Sequence, residues 1–249
     1  MRGSLLKRLL EETGENRLHF TLIDPDKTGP EDAARLARFA SEAGTDAILV
    51  GGSIGVHEPR LSEAVRLVRR ESGLPVILFP GNLNGLTPEA DAVLFMSMLN
   101  SDDPYYISGV QVQAAPIVLR MGLEPIPTAY IIVGYGGAAG YIGRARPVPY
   151  EKPELVAAHV LAAAMLGMKL SYLEAGSGAP KPVPAEAVQL SRRLLDRSGL
   201  DARIIVGGGV RSPETAQTLA RAGAHILVTG NLLEENPLLL PRIIRAFKD

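Results

Sequence analysis

Eight short apolar segments, spaced so that a helix fits between most neighbours, set the tightest limit on how this chain can fold. They run from Leu18 to Ile23, Ala47 to Val50, Val76 to Phe79, Ala92 to Phe95, Ile126 to Val133, Leu170 to Leu173, Ile204 to Val206 and Ile226 to Val228. A strand with one wet face alternates apolar and polar residues. These segments are apolar almost throughout, as in a parallel sheet covered on both faces. Between them stand helix-start signals: Pro30-Glu31-Asp32, Pro104, Pro153-Glu154, and Ser212-Pro213-Glu214 with Ser212 as N-cap. The alternation predicts a single α/β domain over residues 1–249, a closed (β/α)8 TIM barrel of ordinary length, with an open doubly wound sheet as the other topology the pattern permits.

Two intervals break the rhythm. Between Phe79 and Ala92 the chain carries two Pro and two Gly in Pro80-Gly81-Asn82-Leu83-Asn84-Gly85-Leu86-Thr87-Pro88, so at most one helical turn fits and the outer ring should have a loop in place of its third helix. The stretch from Gly134 to Gly143 is rich in glycine and overlong, which predicts a mobile flap over the barrel mouth. The helix expected over Pro153 to Met168 is apolar nearly all round. One face can pack on the barrel and the other needs cover, most simply from a second copy of the chain, with a long loop lying over it as the alternative.

Composition excludes several classes of function. The 26 Lys and Arg against 27 Asp and Glu leave a net charge of −1, without the basic excess that nucleic-acid binding rests on. With 46% hydrophobic and 21% charged residues the chain has ample surface to bury, which argues against disorder. The absence of Cys excludes disulfides, thiolate metal sites and cysteine nucleophiles. Leu155 to Met168, the longest apolar run, is interrupted by His159 and is shorter than the ~18 residues of a transmembrane segment. Met1 to Glu12 carries charges among its leucines and lacks a signal-peptide pattern, so a soluble, cytoplasmic protein is expected.

In such barrels chemistry sits at the carboxyl ends of the strands. Gly207-Gly208-Gly209 after strand seven and Thr229-Gly230-Asn231 after strand eight let backbone N–H groups approach an anion, and the pair favours a phosphate site. Gly176-Ser177-Gly178 after strand six can complete the cradle. Tyr172 and Glu174 share one face of strand six, and the carboxylate suits either a general base or a structural ion pair. Asp24 and Ser53, at the ends of strands one and two, are hard oxygen donors suited to Mg²⁺ and are expected across the mouth from the cradle. Asp102-Asp103 reads as a helix cap before Pro104. The four histidines, His19, His57, His159 and His225, lack metal-ligand spacing and read as packing or surface groups.

Taken together, Thr21-Leu22-Ile23-Asp24-Pro25-Asp26-Lys27, Val50-Gly51-Gly52-Ser53, Leu78-Phe79-Pro80-Gly81-Asn82, Phe95 to Ser101 with Pro104-Tyr105-Tyr106, Tyr172 to Pro180, Gly207 to Val210 and Gly230-Asn231 resemble the geranylgeranylglyceryl phosphate synthase family, related to the heptaprenylglyceryl phosphate synthases. The resemblance implies a barrel lacking its third helix and a prenyltransferase that moves a geranylgeranyl group from its diphosphate to the C3 hydroxyl of sn-glycerol 1-phosphate in ether-lipid biosynthesis. It implies Mg²⁺ held by Asp24 and Ser53, and a glycerol phosphate site of Tyr172, Leu173, Glu174, Ala175, Gly176, Ser177, Gly178, Gly208, Gly209, Gly230 and Asn231. Glu174 would take the hydroxyl proton and Tyr172 would orient the glycerol. Dimers or hexamers are implied as well. A longer donor such as heptaprenyl diphosphate, a sugar-phosphate isomerase or aldolase, and a non-catalytic phosphate- or lipid-binding barrel are the alternatives. No Lys placed for a Schiff base supports the second of these. The loop after strand five departs from the family pattern, with Tyr141 and Arg144 where relatives carry a Trp and an acidic residue.

Overall fold

A computed structural model of the 249-residue chain describes residues 4–52, 59–230 and 236–249. Eight parallel strands form a closed ring: β1 (Leu18–Ile23), β2 (Ala47–Val50), β3 (Val76–Leu78), β4 (Ala92–Met98), β5 (Glu124–Ile132), β6 (Leu170–Glu174), β7 (Arg203–Gly207) and β8 (Ile226–Thr229). Closure is made by β1 against β8, in register from Leu18 with Ile226 to Thr21 with Thr229. The described helices are α1 (Leu5–Glu15), α2 (Pro30–Glu42), α3 (Arg60–Ser72), α4 (Val110–Met121), α5 (Gly137–Ile142), α6 (Pro153–Met165), α7 (Ala185–Ser198), α8 (Pro213–Ala222) and α9 (Leu240–Lys248).

The uniformly apolar strands are explained by two buried layers. Residues of one parity, including Phe20, Leu49, Ile77, Leu94, Ile126 and Ile205, fill the barrel interior. Those of the other parity, including Ile48, Leu78, Ile131, Leu173 and Val206, lie under the helices. The expected gap stands where the third helix would be. After β3 the chain makes only a 3₁₀ turn, Leu83–Gly85, before β4 begins.

Some boundaries differ from expectation for local reasons. β5 starts two residues before Ile126, at Glu124, and takes in Pro125 and Pro127. Its pairing with β6 begins only at Thr128 with Leu170, so these prolines occupy a stretch with no β6 neighbour, where a missing N–H is tolerated. The helix expected to reach Met168 ends at Met165, with Gly167 in a left-handed turn (φ +87°) just beyond. Its outer face leaves Leu155, Met165 and Leu166 uncovered at 46, 68 and 70% exposure. The Gly-rich segment is not irregular throughout, since part of it forms the short helix α5. Among the described residues no helix is long and apolar enough to cross a membrane.

Helix α1 has a role that the sequence patterns did not disclose. Leu5 and Leu9 join the inner cluster, and the N–H groups of Leu5 and Leu6 donate to the Glu124 carboxylate at 2.7 and 3.0 Å. A carboxylate thereby caps the helix amino terminus, where partial positive charge collects. The helix plugs the end of the barrel that carries the strand starts, opposite the mouth. Truncating the fully buried Phe20 should leave a void in this closed interior; Phe20→Ala is expected to cost about 3–5 kcal/mol in chemical denaturation.

Candidate active site

The carboxyl ends of the strands enclose a cavity of about 490 Å³ lined by residues from all eight strands or their ends and by the flap. At its base is Glu174, the last residue of β6, 6% exposed. Alternation along the strand sends Tyr172 and Glu174 inward together, as expected. The Gly176 N–H donates to Glu174 Oε1 at 2.6 Å, and the hydroxyls of Tyr172 and Tyr130 donate to the same carboxylate. Burial pushes the Glu174 carboxyl above the usual carboxylate range, against the lowering effect of those three donors. Burial beside Glu174 likewise drives both tyrosine hydroxyls well above their ordinary range, so they remain donors. Among the described residues no cation pairs with Glu174, so the structural ion-pair reading does not describe it.

Aromatic packing fixes the two tyrosines. Phe79 stacks on Tyr172 with ring centroids 5.5 Å apart and meets Tyr130 edge-on at 5.7 Å, while Tyr130 and Tyr172 meet edge-on at 5.3 Å. Tyr130 was missed in the sequence. Two hydroxyl-bearing residues, Thr128 and Tyr130, share the inward parity of Ile126 and Ile132, and nothing local distinguishes the one that meets Glu174.

Around this base runs the glycine cradle. Gly208 and Gly209 adopt successive left-handed conformations (φ +80° and +71°), and Gly208 is also a steric necessity. A Cβ there would lie 2.5 Å from Glu174 Oε1 and 2.7 Å from the Gly176 nitrogen. Ser212 caps α8 immediately after, accepting from the Thr215 N–H, so a helix amino terminus adjoins the cradle. Ser177, Gly178, Gly208, Gly209 and Gly230 all line the cavity. Arg211, not singled out in the sequence, lines it too and donates to the Gly178 carbonyl at 3.2 Å, adding a cation beside the cradle. Leu173 and Ala175 fall on the other parity, and their side chains pack under the helices, so only their backbone can face the cavity. Gly176 supplies its N–H to Glu174 rather than lining the cavity. Asn231 and Ser53 lie outside the described residues, as does His57.

Asp24 reaches the mouth from the end of β1. Its Oδ1 accepts the Asp26 N–H at 3.0 Å and its Oδ2 lies 3.7 Å from Lys27 Nζ. Burial raises this carboxyl above the usual range, with the Asp26 N–H and Lys27 opposing. A Cβ at position 52 would lie 2.5 Å from Asp24 Oδ1, so Gly52 gives the carboxylate its room. Asp24 does not stand across the mouth from the cradle. Because β1 closes on β8, it is a neighbour of Gly230, and one wall of the cavity carries both.

The flap closes over this arrangement. Ala138, Ala139 and Ile142 of α5 line the cavity, while Tyr141 points outward at 87% exposure. The Gly136 N–H donates to the Ala175 carbonyl at 2.8 Å. As expected, Asp103 acts as a cap, accepting the Tyr105 N–H at 3.0 Å. His19 and His225 are buried in structural hydrogen bonds, His19 between Thr45 and Thr229 and His225 against the Ile204 N–H and Arg192.

The model of the PcrB family matches residues 9–249. The chain belongs to the PcrB family. Members of similar sequence include the geranylgeranylglyceryl phosphate synthase of Aeropyrum pernix, 59% identical over 249 residues and covering 99% of this chain and 98% of that protein. The enzyme of the same name from Thermofilum pendens is 50% identical over 253 residues, covering 100% and 97%. Among solved structures, (S)-3-O-geranylgeranylglyceryl phosphate synthase from Thermoplasma acidophilum, in complex with substrate sn-glycerol-1-phosphate, superposes with a TM-score of 0.93 at 38% identity, covering 98% of each chain.

The buried Glu174 carboxyl links stability to pH. With its folded value raised, the native state holds a proton that the unfolded chain has already released, so stability falls as pH rises through the interval between the two. Glu174→Gln removes this liability. Measured by denaturation across pH, the variant should gain on the wild type as pH rises above the ordinary carboxylate range, by at most about 1.4 kcal/mol per pH unit.

Proposed function

We propose that this protein transfers a geranylgeranyl group from geranylgeranyl diphosphate to the C3 hydroxyl of sn-glycerol 1-phosphate. The reading is carried by one observation: the Gly176 N–H that opens the phosphate loop also holds the Glu174 carboxylate, at 2.6 Å. Base and phosphate anchor are thus parts of one rigid unit, suited to an acceptor that carries a phosphate and a reactive hydroxyl a fixed distance apart.

In this reading the phosphate sits on Ser177, Gly178, Gly208, Gly209, Gly230 and Asn231, with Arg211 adding charge. The C3 hydroxyl donates to Glu174, and Tyr172 and Tyr130 hold the carboxylate in place. The bond from C1 of the donor to the diphosphate oxygen breaks with its electron pair leaving on diphosphate. The C3 oxygen bonds to C1, and its proton passes to Glu174. Because burial raises this carboxyl above the usual carboxylate range, it is a stronger base than an exposed glutamate. The apolar side of the cavity, with Met96, Met98, Tyr106 and Val110, takes the prenyl chain.

Asp24 fits Mg²⁺ through the chemistry of its donor set. Magnesium in phosphate sites takes one or two carboxylates and fills its shell with water and phosphate oxygens. Among the described residues no group of three or more His, Asp or Glu forms a dedicated cage, and Asp24 with Ser53 supplies the smaller set. When bound there, the ion neutralises charge on the leaving diphosphate. The uncovered face of α6 supports self-association of the chain.

The test is incubation with labelled sn-glycerol 1-phosphate, Mg²⁺ and isoprenoid diphosphates of graded length. Ether product is expected, greatest with the C20 donor; none with any donor overturns the reading. Glu174→Gln should lower kcat by about 10²–10⁴ with little change in glycerol phosphate affinity. The wild-type rate should fall on an acidic limb centred above the ordinary carboxylate range. Gly208→Ala should displace the carboxylate and weaken glycerol phosphate binding as well as turnover, read by separate kcat and KM values.

A further inference from the structure

The wall of the barrel is incomplete beside the missing helix. Strand β3 pairs with β4 only at Ile77 with Ala92 and Leu78 with Val93, while β4 continues to Met98. A turn of π-helix, Tyr105–Gly109, leads into α4 at this place and brings Gln111 against the unpaired part of β4. Wide turns of this kind concentrate at functional positions.

Gln111 lines the cavity. Its Nε2 donates to the Met96 carbonyl and, at 3.3 Å, to the Tyr106 carbonyl. With both neighbours acceptors, the amide can be oriented in one way only. Its carbonyl oxygen is then left buried without a donor. Such an orphan acceptor costs about 1–3 kcal/mol, a cost tolerated where a ligand supplies the partner. The nearby lining, Met96, Met98, Tyr106 and Val110, offers no side-chain donor aimed at it.

We propose that the Gln111 carbonyl stabilises the positive charge that develops on the allylic carbons of the prenyl donor as the diphosphate departs. This rests on the transfer proposed above. Neither the prenyl chain nor its diphosphate carries an N–H or O–H for the orphan oxygen; the cationic allyl group is the electropositive partner the donor supplies, and only in the transition state. A neutral carbonyl dipole suits the task, since a carboxylate there would repel the diphosphate and could trap the cation. Register supports the placement. Met98 is level with Tyr130, which donates to Glu174, and Met96 is two residues, about 6–7 Å, further into the barrel. The carbonyl thus lies one step inward from the base, on the side where the first isoprene unit enters.

The experiment measures binding of an isoprenoid ammonium, with nitrogen replacing an allylic carbon, against its neutral hydrocarbon isostere, both with inorganic diphosphate and Mg²⁺ present. The wild type is expected to prefer the ammonium by about tenfold or more. Gln111→Met should abolish that preference, keep affinity for the neutral isostere and for sn-glycerol 1-phosphate, and lower kcat by about 10²–10³. Gln111→Lys, whose ammonium can still donate to the Met96 and Tyr106 carbonyls, guards against a folding defect and should lose the preference too. Retention of the preference in either folded variant, or a kcat within about twofold of wild type, overturns the assignment. A wild type that forms no ether with any donor defeats the transfer reading instead, and the analogue preference still reports on Gln111 by itself.

Discussion

Taking a carboxylate out of water costs several kcal/mol unless fixed donors replace its hydration. Glu174 is met by the Gly176 N–H and the hydroxyls of Tyr130 and Tyr172, and each donor imposes something further. The Gly176 N–H obliges the chain to turn sharply after β6, at φ +106°, which a residue with a side chain rarely adopts. The tyrosines need bracing, and Phe79 supplies it from the end of β3. Gly208 must lack a Cβ for the carboxylate to fit at all. Much of the mouth is thus the solution to a single solvation problem.

The barrel itself was legible because short, mostly apolar runs of strand length recur eight times with helix-start signals between most of them, as covered parallel strands do. The gap after β3 was legible for a different reason, since two Pro and two Gly in a short interval leave no room for a helix. Spacing alone did not reveal which strand ends are neighbours. Asp24 looked opposite the cradle because β1 is distant from β8 in sequence, yet closure of the ring makes them adjacent. Leu173 and Ala175 entered the site as members of a contiguous segment, and strand parity removed their side chains from it. Tyr130 was hidden by its surroundings, as one polar atom in a core strand has no local signature until its partner is placed. The α1 plug was hidden likewise, because its cap, Glu124, is over a hundred residues away.

Loss of the third helix has a structural cost that the neighbouring elements absorb. β3 is three residues long, and the ladder to β4 stops after two pairs. Side chains tie the edge to the neighbouring turn in place of a strand: Gln111 pairs the Met96 carbonyl, and Ser97 Oγ donates to the Ile107 carbonyl of the turn at 2.6 Å. Side-chain substitutes can be set apart from one another, whereas a strand would fill the opening. The result is an edge whose Met96 carbonyl is paired without a strand filling the opening.

The flap and the phosphate loop cannot move independently. Gly176 packs so closely on the flap that a Cβ there would lie 2.6 Å from both the Gly136 carbonyl carbon and the Gly137 nitrogen, and the Gly136 N–H donates to the Ala175 carbonyl. Movement of α5 therefore pulls on the segment that holds Glu174. For the proposed transfer this connection has a chemical use, because an allylic cation reacts with water as readily as with an alcohol. Ala138, Ala139 and Ile142 present an apolar underside to the cavity, so the closed flap excludes the competing nucleophile. In the proposed reaction, a phosphate seated on the glycine loop would stabilise that loop in the conformation the flap packs against. By linkage, an acceptor that bound more tightly with the flap packed down would in turn favour that packing.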